Sequence, residues 1–221
     1  LHLSIRRQRQ MCIRDRLTPC CCSTNKVVVV TQRVLVDANV LASRILTDWL
    51  FHLRRCNRGM FSILWTRDIQ AEALRAMRKK HPEWSGSAIE RRFKMMEALI
   101  DDTVVAPDGD YGFSGADSGD FHVHAAAVAG NVHYILTDNR PDDFTSRPDE
   151  EQYEIVNSDD FFNLVADSNQ PGFVAAVAGQ FEYYSRPGVV KDPLHFALQR
   201  AGCPSFADRV KLALGQIALQ R

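Results

Sequence analysis

RVLVDANVLASRILTDWLFHL, residues 33–53, decides the fold class. Val34, Leu35 and Val36 stand side by side with no polar alternation, the pattern of a strand covered on both faces. Asp37 ends that run. From Leu41 the period changes, and Leu41, Ile45, Leu46, Trp49, Leu50 and Leu53 recur at helical spacing to give one apolar face. A buried strand that passes into an amphipathic helix is half of a crossover unit, and repeated units of this kind build a mainly parallel sheet.

The alternation continues outward. After the helix ends near Cys56 to Gly59, residues 61–65 (FSILW) read as a second strand. Thr66 is placed to cap a helix that runs to about Lys80 and stops at His81-Pro82. Ser87 with Glu90 three residues on predicts the start of a further helix carrying Phe93, Met96, Leu99 and Ile100. Val104-Val105 is a short third strand. A Gly- and Asp-rich loop, 108–119, leads to a short alanine-rich helix at 120–129 closed by Gly130. Residues 133–137 (HYILT) and 154–157 supply strands four and five, and Ser158 is read as the cap of a helix with Phe161, Phe162, Leu164 and Val165 inward.

Beyond Asn169 no strand pattern occurs, only two or three amphipathic helices separated by Pro187, Pro193 and Pro204. The expectation is an α/β fold: a three-layer α/β/α domain over residues 33–168, with four to five mainly parallel strands, followed by a helical C-terminal appendage at 169–221. Residues 6–16 (RRQRQMCIRDR) match a translated transposase sequencing adapter, so 1–16 are set aside as an artefact, and 17–32 are left unassigned.

The formal net charge is zero, but removing residues 1–16 leaves 22 basic against 26 acidic side chains. A mildly acidic domain excludes a general nucleic-acid coat, so phosphate binding has to come from local basic clusters or a bound metal. Six cysteines, three of them consecutive, form neither a disulfide framework nor a CxxC pair. No apolar stretch reaches membrane-spanning length, and the N-terminus has no signal-peptide core, which places the protein in the cytoplasm, away from membranes.

In a parallel sheet with helical crossovers, ligands bind beyond the carboxyl ends of the strands. Asp37 ends strand one, Glu72 lies on the helix after strand two, Asp120 opens the helix before strand four, and Thr137-Asp138-Asn139 follow that strand. Singly, Asp37 and Asp120 read as helix caps, Glu72 as a solvated helix face and Asn139 as a turn residue. Four such coincidences on one sheet edge are better explained by one site. Oxygen donors gathered there repel one another unless a hard divalent cation is present, which favours magnesium or manganese over zinc.

VLVDANVL (34–41), IQAEAL (69–74), DFHVHAAAVAG (120–130) and YILTDNRPDDF (134–144) resemble the four signature blocks of the PIN-domain family, over about residues 33–165. The resemblance is closest to a VapC-like branch of bacterial toxins, and residues 171–210, with GCPSF at 202–206, resemble that branch's helical extension. It implies that Asp37, Glu72 and Asp120 are the catalytic metal-binding core, and that Asn139, Asp142 or Asp143 completes the site, Pro141 adding one residue before Asp142-Asp143-Phe144. Asn39, Thr137 and His124 are the candidates to support these ligands. The implied cofactor is Mg2+ or Mn2+. The implied activity is RNA phosphodiester hydrolysis leaving 5′-phosphate and 3′-hydroxyl ends, with one or two ions activating a water for in-line attack. The implied partners are an RNA substrate, a cognate antitoxin that fills the acidic cleft and, as a further option, a second copy in a homodimer.

Between Arg67 and Lys94 eight basic residues face four acids. Arg75 and Lys79, at i+3 and i+7 from Glu72, are the candidates for RNA phosphates, with an ordinary solvated helix face as the competing reading. His122 and His124 are two apart and point in different directions on a helix. His122 is read as a packing or supporting residue and His124 as a neighbour of the site. Two competitors remain. One is a phosphatase using Asp37 as nucleophile, weakened by Asn39 where such enzymes carry a second Asp. The other is a non-catalytic PIN-like module that binds RNA or protein.

Overall fold

The computed structural model describes residues 31–185 and 192–219; the adapter-like segment and Pro187 lie outside the described residues. Five parallel strands, β1 (Gln32–Val36), β2 (Phe61–Trp65), β3 (Asp102–Thr103), β4 (Tyr134–Leu136) and β5 (Glu154–Val156), form one sheet in the order β3-β2-β1-β4-β5. Helices α1 (Ala38–Ala42) and α2 (Arg44–Cys56) connect β1 to β2, and α3 (Arg67–Lys80) and α4 (Gly86–Glu97) connect β2 to β3. A 3-10 turn (Ser118–Asp120) and α5 (Phe121–Ala129) precede β4, and the short α6 (Pro141–Phe144) precedes β5. Crossovers that run in opposite directions from β1 place helices on both faces of the sheet, right-handed connections being the rule, which gives the expected α/β architecture.

The uninterrupted apolar run of β1 is explained by its position. It is the central strand, paired with β2 on one side and β4 on the other, and Val34, Leu35 and Val36 are fully buried. The helices α7 (Ser158–Ser168), α8 (Gln170–Tyr184), α9 (Leu194–Arg200) and α10 (Pro204–Leu219) complete the described chain. The C-terminal helices share the domain's core: Phe206 of α10 meets Trp49 of α2 edge-on, with ring centroids 5.0 Å apart, and Phe173, Ala176 and Val177 of α8 are buried in the same cluster. Asp159 of α7 clamps α10 by accepting the backbone N–H groups of Ser205 and Phe206 at 3.1 and 2.7 Å, two of the donors a helix start leaves unpaired.

Several boundaries differ from the sequence reading. The first helix is broken at Ser43 into α1 and α2. The third strand is Asp102–Thr103 and not Val104-Val105, because Asp102 and Thr103 are the residues level with Leu64 and Trp65, where β2 ends. Helix α4 is capped by Ser85, whose hydroxyl accepts from Ala88 N–H, and Ser87 instead pairs with the Ser85 hydroxyl. Helix α7 is capped by Asn157 and not Ser158. Among the described residues no helix is long and apolar enough to cross a membrane.

Candidate active site at the switch point of the sheet

The chain leaves β1 toward β2 and β3, then returns to the other flank of β1 as β4. Loops that depart in opposite directions at such a reversal leave a crevice at the carboxyl edge. Val36 is level with Leu136 across the β1/β4 ladder, so the next residues, Asp37 and Thr137, emerge side by side into it.

Asp37 is 4% exposed, and both its oxygens are held. One accepts the Ala38 N–H at 2.6 Å, capping α1, and the other accepts the Thr137 hydroxyl at 2.7 Å. The capping reading and the site reading are therefore both realised in one side chain. Burial pushes the Asp37 carboxyl above its ordinary range, and the charge of Glu72 adds to the rise, against the two hydrogen bonds.

Thr137 is the hub of a polar chain. Its hydroxyl oxygen also accepts from the Asn39 side chain at 3.0 Å and from the Asn139 backbone at 3.1 Å. The Asn39 amide donates a second time, to the Asn139 side-chain carbonyl at 3.0 Å, and the Asn139 amide in turn reaches an Asp120 oxygen at 3.3 Å. Asn39 and Thr137 thus link Asp37 to Asp120.

Asp120 stands at the start of α5, yet its carboxylate makes no capping bond to that helix. The preceding turn is capped by Asp117, which accepts the Gly119 N–H at 2.8 Å. The Asp120 carboxyl is pushed up to about 6, first by burial and next by the charge of Asp37, with Asp117 and Asp143 adding to it and the Asn139 bond opposing. A carboxylate released from its local structural use and raised by other carboxylates is the electrostatic mark of a functional site.

Glu72 extends from α3, with its side chain 46% exposed. His122 of α5 brings Nε2 to 3.2 Å from Glu72 Oε1, close enough for an ion pair but without hydrogen-bond alignment, since both His122 ring nitrogens are buried and unpartnered among the described residues. The charges of Glu72 and His122 both act on Asp37.

The last signature block divides. Asn139 lies in the network, and Asp143 is near enough for its charge to act on Asp120, although one Asp143 oxygen also accepts the Arg140 N–H at 3.0 Å. Asp142 is exposed, and its backbone carbonyl is engaged by Ala116 N–H at 2.9 Å. Asp138 faces α7, where it accepts from the Ser158 hydroxyl and N–H at 3.0 and 3.3 Å.

Of the two histidines, His122 stands as a supporting neighbour, one of the two parts expected of it, and His124 departs from its expected place beside the site. His124 is buried, one ring nitrogen 2.6 Å from the Tyr153 hydroxyl and the other 2.8 Å from the Tyr111 carbonyl, so neither is left for the site. His122 is the histidine that meets a candidate ligand. An H-x-H pair on a helix must split in this way, and the spacing alone does not say which ring turns which way. Arg75 and Lys79 are exposed and, among the described residues, form no ion pair. Arg75 borders a groove between α3 and α4 floored by Leu74, Ile89 and Phe93.

A family model described as PIN domain matches residues 33–141, the span that carries Asp37, Glu72, Asp120 and Asn139. The chain carries a PIN domain. No curated protein and no solved structure matches it. PIN domains are generally nucleases and typically use divalent metals.

The donors of this PIN domain fit such an ion by chemistry. Asp37, Asp120 and Asn139 are oxygen donors at one edge, and Asp37 and Asp120 both stand above the ordinary carboxylate range, a penalty that a cation would relieve. Among the described residues no three His, Cys, Asp or Glu side chains form a ready-made cage. Magnesium does not require one, because it keeps several waters and binds through one or two carboxylates together with substrate phosphate.

Proposed function

We propose that this PIN domain is a magnesium- or manganese-dependent endoribonuclease of the cytoplasm, acting as the toxin of a toxin–antitoxin pair. One observation carries the nuclease reading: Asp120 forgoes its capping bond and is raised to about 6 by burial and Asp37, across the crevice where a parallel sheet binds ligands. When bound, the ion would polarise the scissile phosphate and activate water. Asp37, Asp120 and Glu72 would hold it, with Asn139 or Asp143 as the fourth contributor.

The chain's own residues account for positioning. Thr137 and Ala38 fix the Asp37 carboxylate in one orientation, and the Asn39-Asn139 amides fix Asp120 relative to it, so little reorganisation is needed when substrate arrives. The proposed cleavage uses no protein nucleophile. Arg75 and Lys79, on the helix of Glu72 and without an acidic partner among the described residues, supply positive charge for neighbouring phosphates without reading bases.

Cleavage of end-labelled RNA with Mg2+ or Mn2+, beside an EDTA control and an Asp120→Asn variant, tests the reading. Metal-dependent cutting that the variant lacks is expected; RNA binding without cutting, or phosphate release from small phosphoesters, would overturn it. The toxin role is tested separately by growth. Expression alone is expected to arrest cells, and co-expression of a small neighbouring gene to rescue them with formation of a complex. Size-exclusion chromatography with light scattering, with and without that partner, decides between monomer and homodimer.

A further inference from the structure

We infer that His122 is a positioning residue, and that its imidazole Nε2 holds the Glu72 carboxylate at the metal cleft. The inference deepens the metal-nuclease reading and rests on it. Glu72 lies on α3, which packs on α1 and α4, whereas Asp120 and His122 lie at the start of α5. A glutamate with its side chain 46% exposed has several rotamers open to it and loses that freedom only where something grips its end. Among the described residues His122 is the polar group that reaches it, Nε2 to Oε1 at 3.2 Å. The contact joins the second and third signature blocks, and the charges of both groups act on Asp37.

The cost of the arrangement indicates that it has a purpose. His122 and His124 are the two polar side chains of an otherwise apolar helix, and His124 has both nitrogens satisfied. Both nitrogens of His122 are buried without a hydrogen bond, a condition native proteins rarely keep without a functional reason. A modest turn of the Glu72 carboxylate would convert the existing approach into a hydrogen bond and fix Glu72 for ligation, the usual service of a partner behind a metal ligand.

The test compares His122→Leu, His122→Gln and His122→Asn, alone and with Glu72→Gln, by Mn2+ affinity from electron paramagnetic resonance and by RNA cleavage. Removing such a partner costs on the order of 10- to 100-fold in metal affinity, so His122→Leu is expected to weaken Mn2+ binding at least about tenfold. Gln sets an amide near the Nε2 position and is expected to restore most of it. Asn, reaching only the Nδ1 position, is not. In the Glu72→Gln background His122→Leu is expected to change little, because the two residues act as one unit. Unchanged Mn2+ binding in His122→Leu, equal loss in the Leu and Gln variants, or full additivity with Glu72→Gln would each overturn the inference. If His122→Leu fails to fold by circular dichroism, the Gln and Asn variants decide, and equal affinities there would overturn it. Failure of the unaltered protein to bind Mn2+ is the separate result that removes the metal-nuclease reading itself.

Discussion

Thr137 donates its hydroxyl hydrogen to Asp37 at 2.7 Å across the point where the sheet reverses its winding. The bond joins the end of β1 to the end of β4, and through Asn39 and Asn139 it connects the first signature acid to Asp120. Removing it leaves Asp37 buried with one oxygen unpaired. Thr137→Val, which keeps the shape, is expected to lower stability by about 1–3 kcal/mol in urea unfolding and to reduce cleavage. Thr137→Ser keeps the hydroxyl and is expected to retain cleavage within a fewfold.

Asp120 is held above the ordinary carboxylate range, so its charged form is disfavoured in the folded state. Such a group has no unfavourable effect below the unfolded pKa of about 4; the penalty grows as pH rises toward the folded value of about 6 and is complete above it. Metal-free protein is therefore expected to lose melting temperature between about pH 4 and pH 6 from this group, by differential scanning calorimetry. At pH 7.5 Asp120→Asn is expected to be inactive yet to melt higher than the metal-free parent, since it removes a charge that burial disfavours and Asp37 repels.

The same repulsion predicts linkage to metal. If the carboxylates bind a divalent ion, adding it at ten times its dissociation constant stabilises the fold by about 1.4 kcal/mol. The melting temperature should rise with Mg2+ and return with EDTA. Below about pH 6 protons compete for Asp120, so the shift should shrink. An equal shift in Asp37→Asn would place the ion elsewhere.

Gly115 anchors the loop before Asp120 against α6. A Cβ there would lie 2.1 Å from the Asp143 carbonyl oxygen and 2.7 Å from the Phe144 carbonyl carbon. Both are backbone atoms that cannot move independently. Gly115→Ala is expected to destabilise by about 1–3 kcal/mol in urea unfolding and to lower cleavage by displacing Asp117 and Asp120.

Asp159 predicts how the C-terminal helices are held. Asp159→Ala removes acceptors for two N–H groups at the start of α10 and is expected to cost about 1–2 kcal/mol. Hydrogen exchange should quicken in α10 before it does in β1.

The strand-helix alternation, the parallel sheet and the placement of Asp37, Glu72 and Asp120 near its carboxyl edge are all legible in the amino-acid order. They follow from local periodicity and from the rule that crossover units point their strands one way. The sequence could not show which histidine of the H-x-H pair meets Glu72, that Asp120 abandons the capping role its position suggests, or that Asn139 and Asp143 both act on Asp120. Nor could it show that α8 and α10 share one core with Trp49. Each of these turns on where a side chain points once distant segments are packed, and that direction is settled by contacts across the sheet rather than by neighbours along the chain.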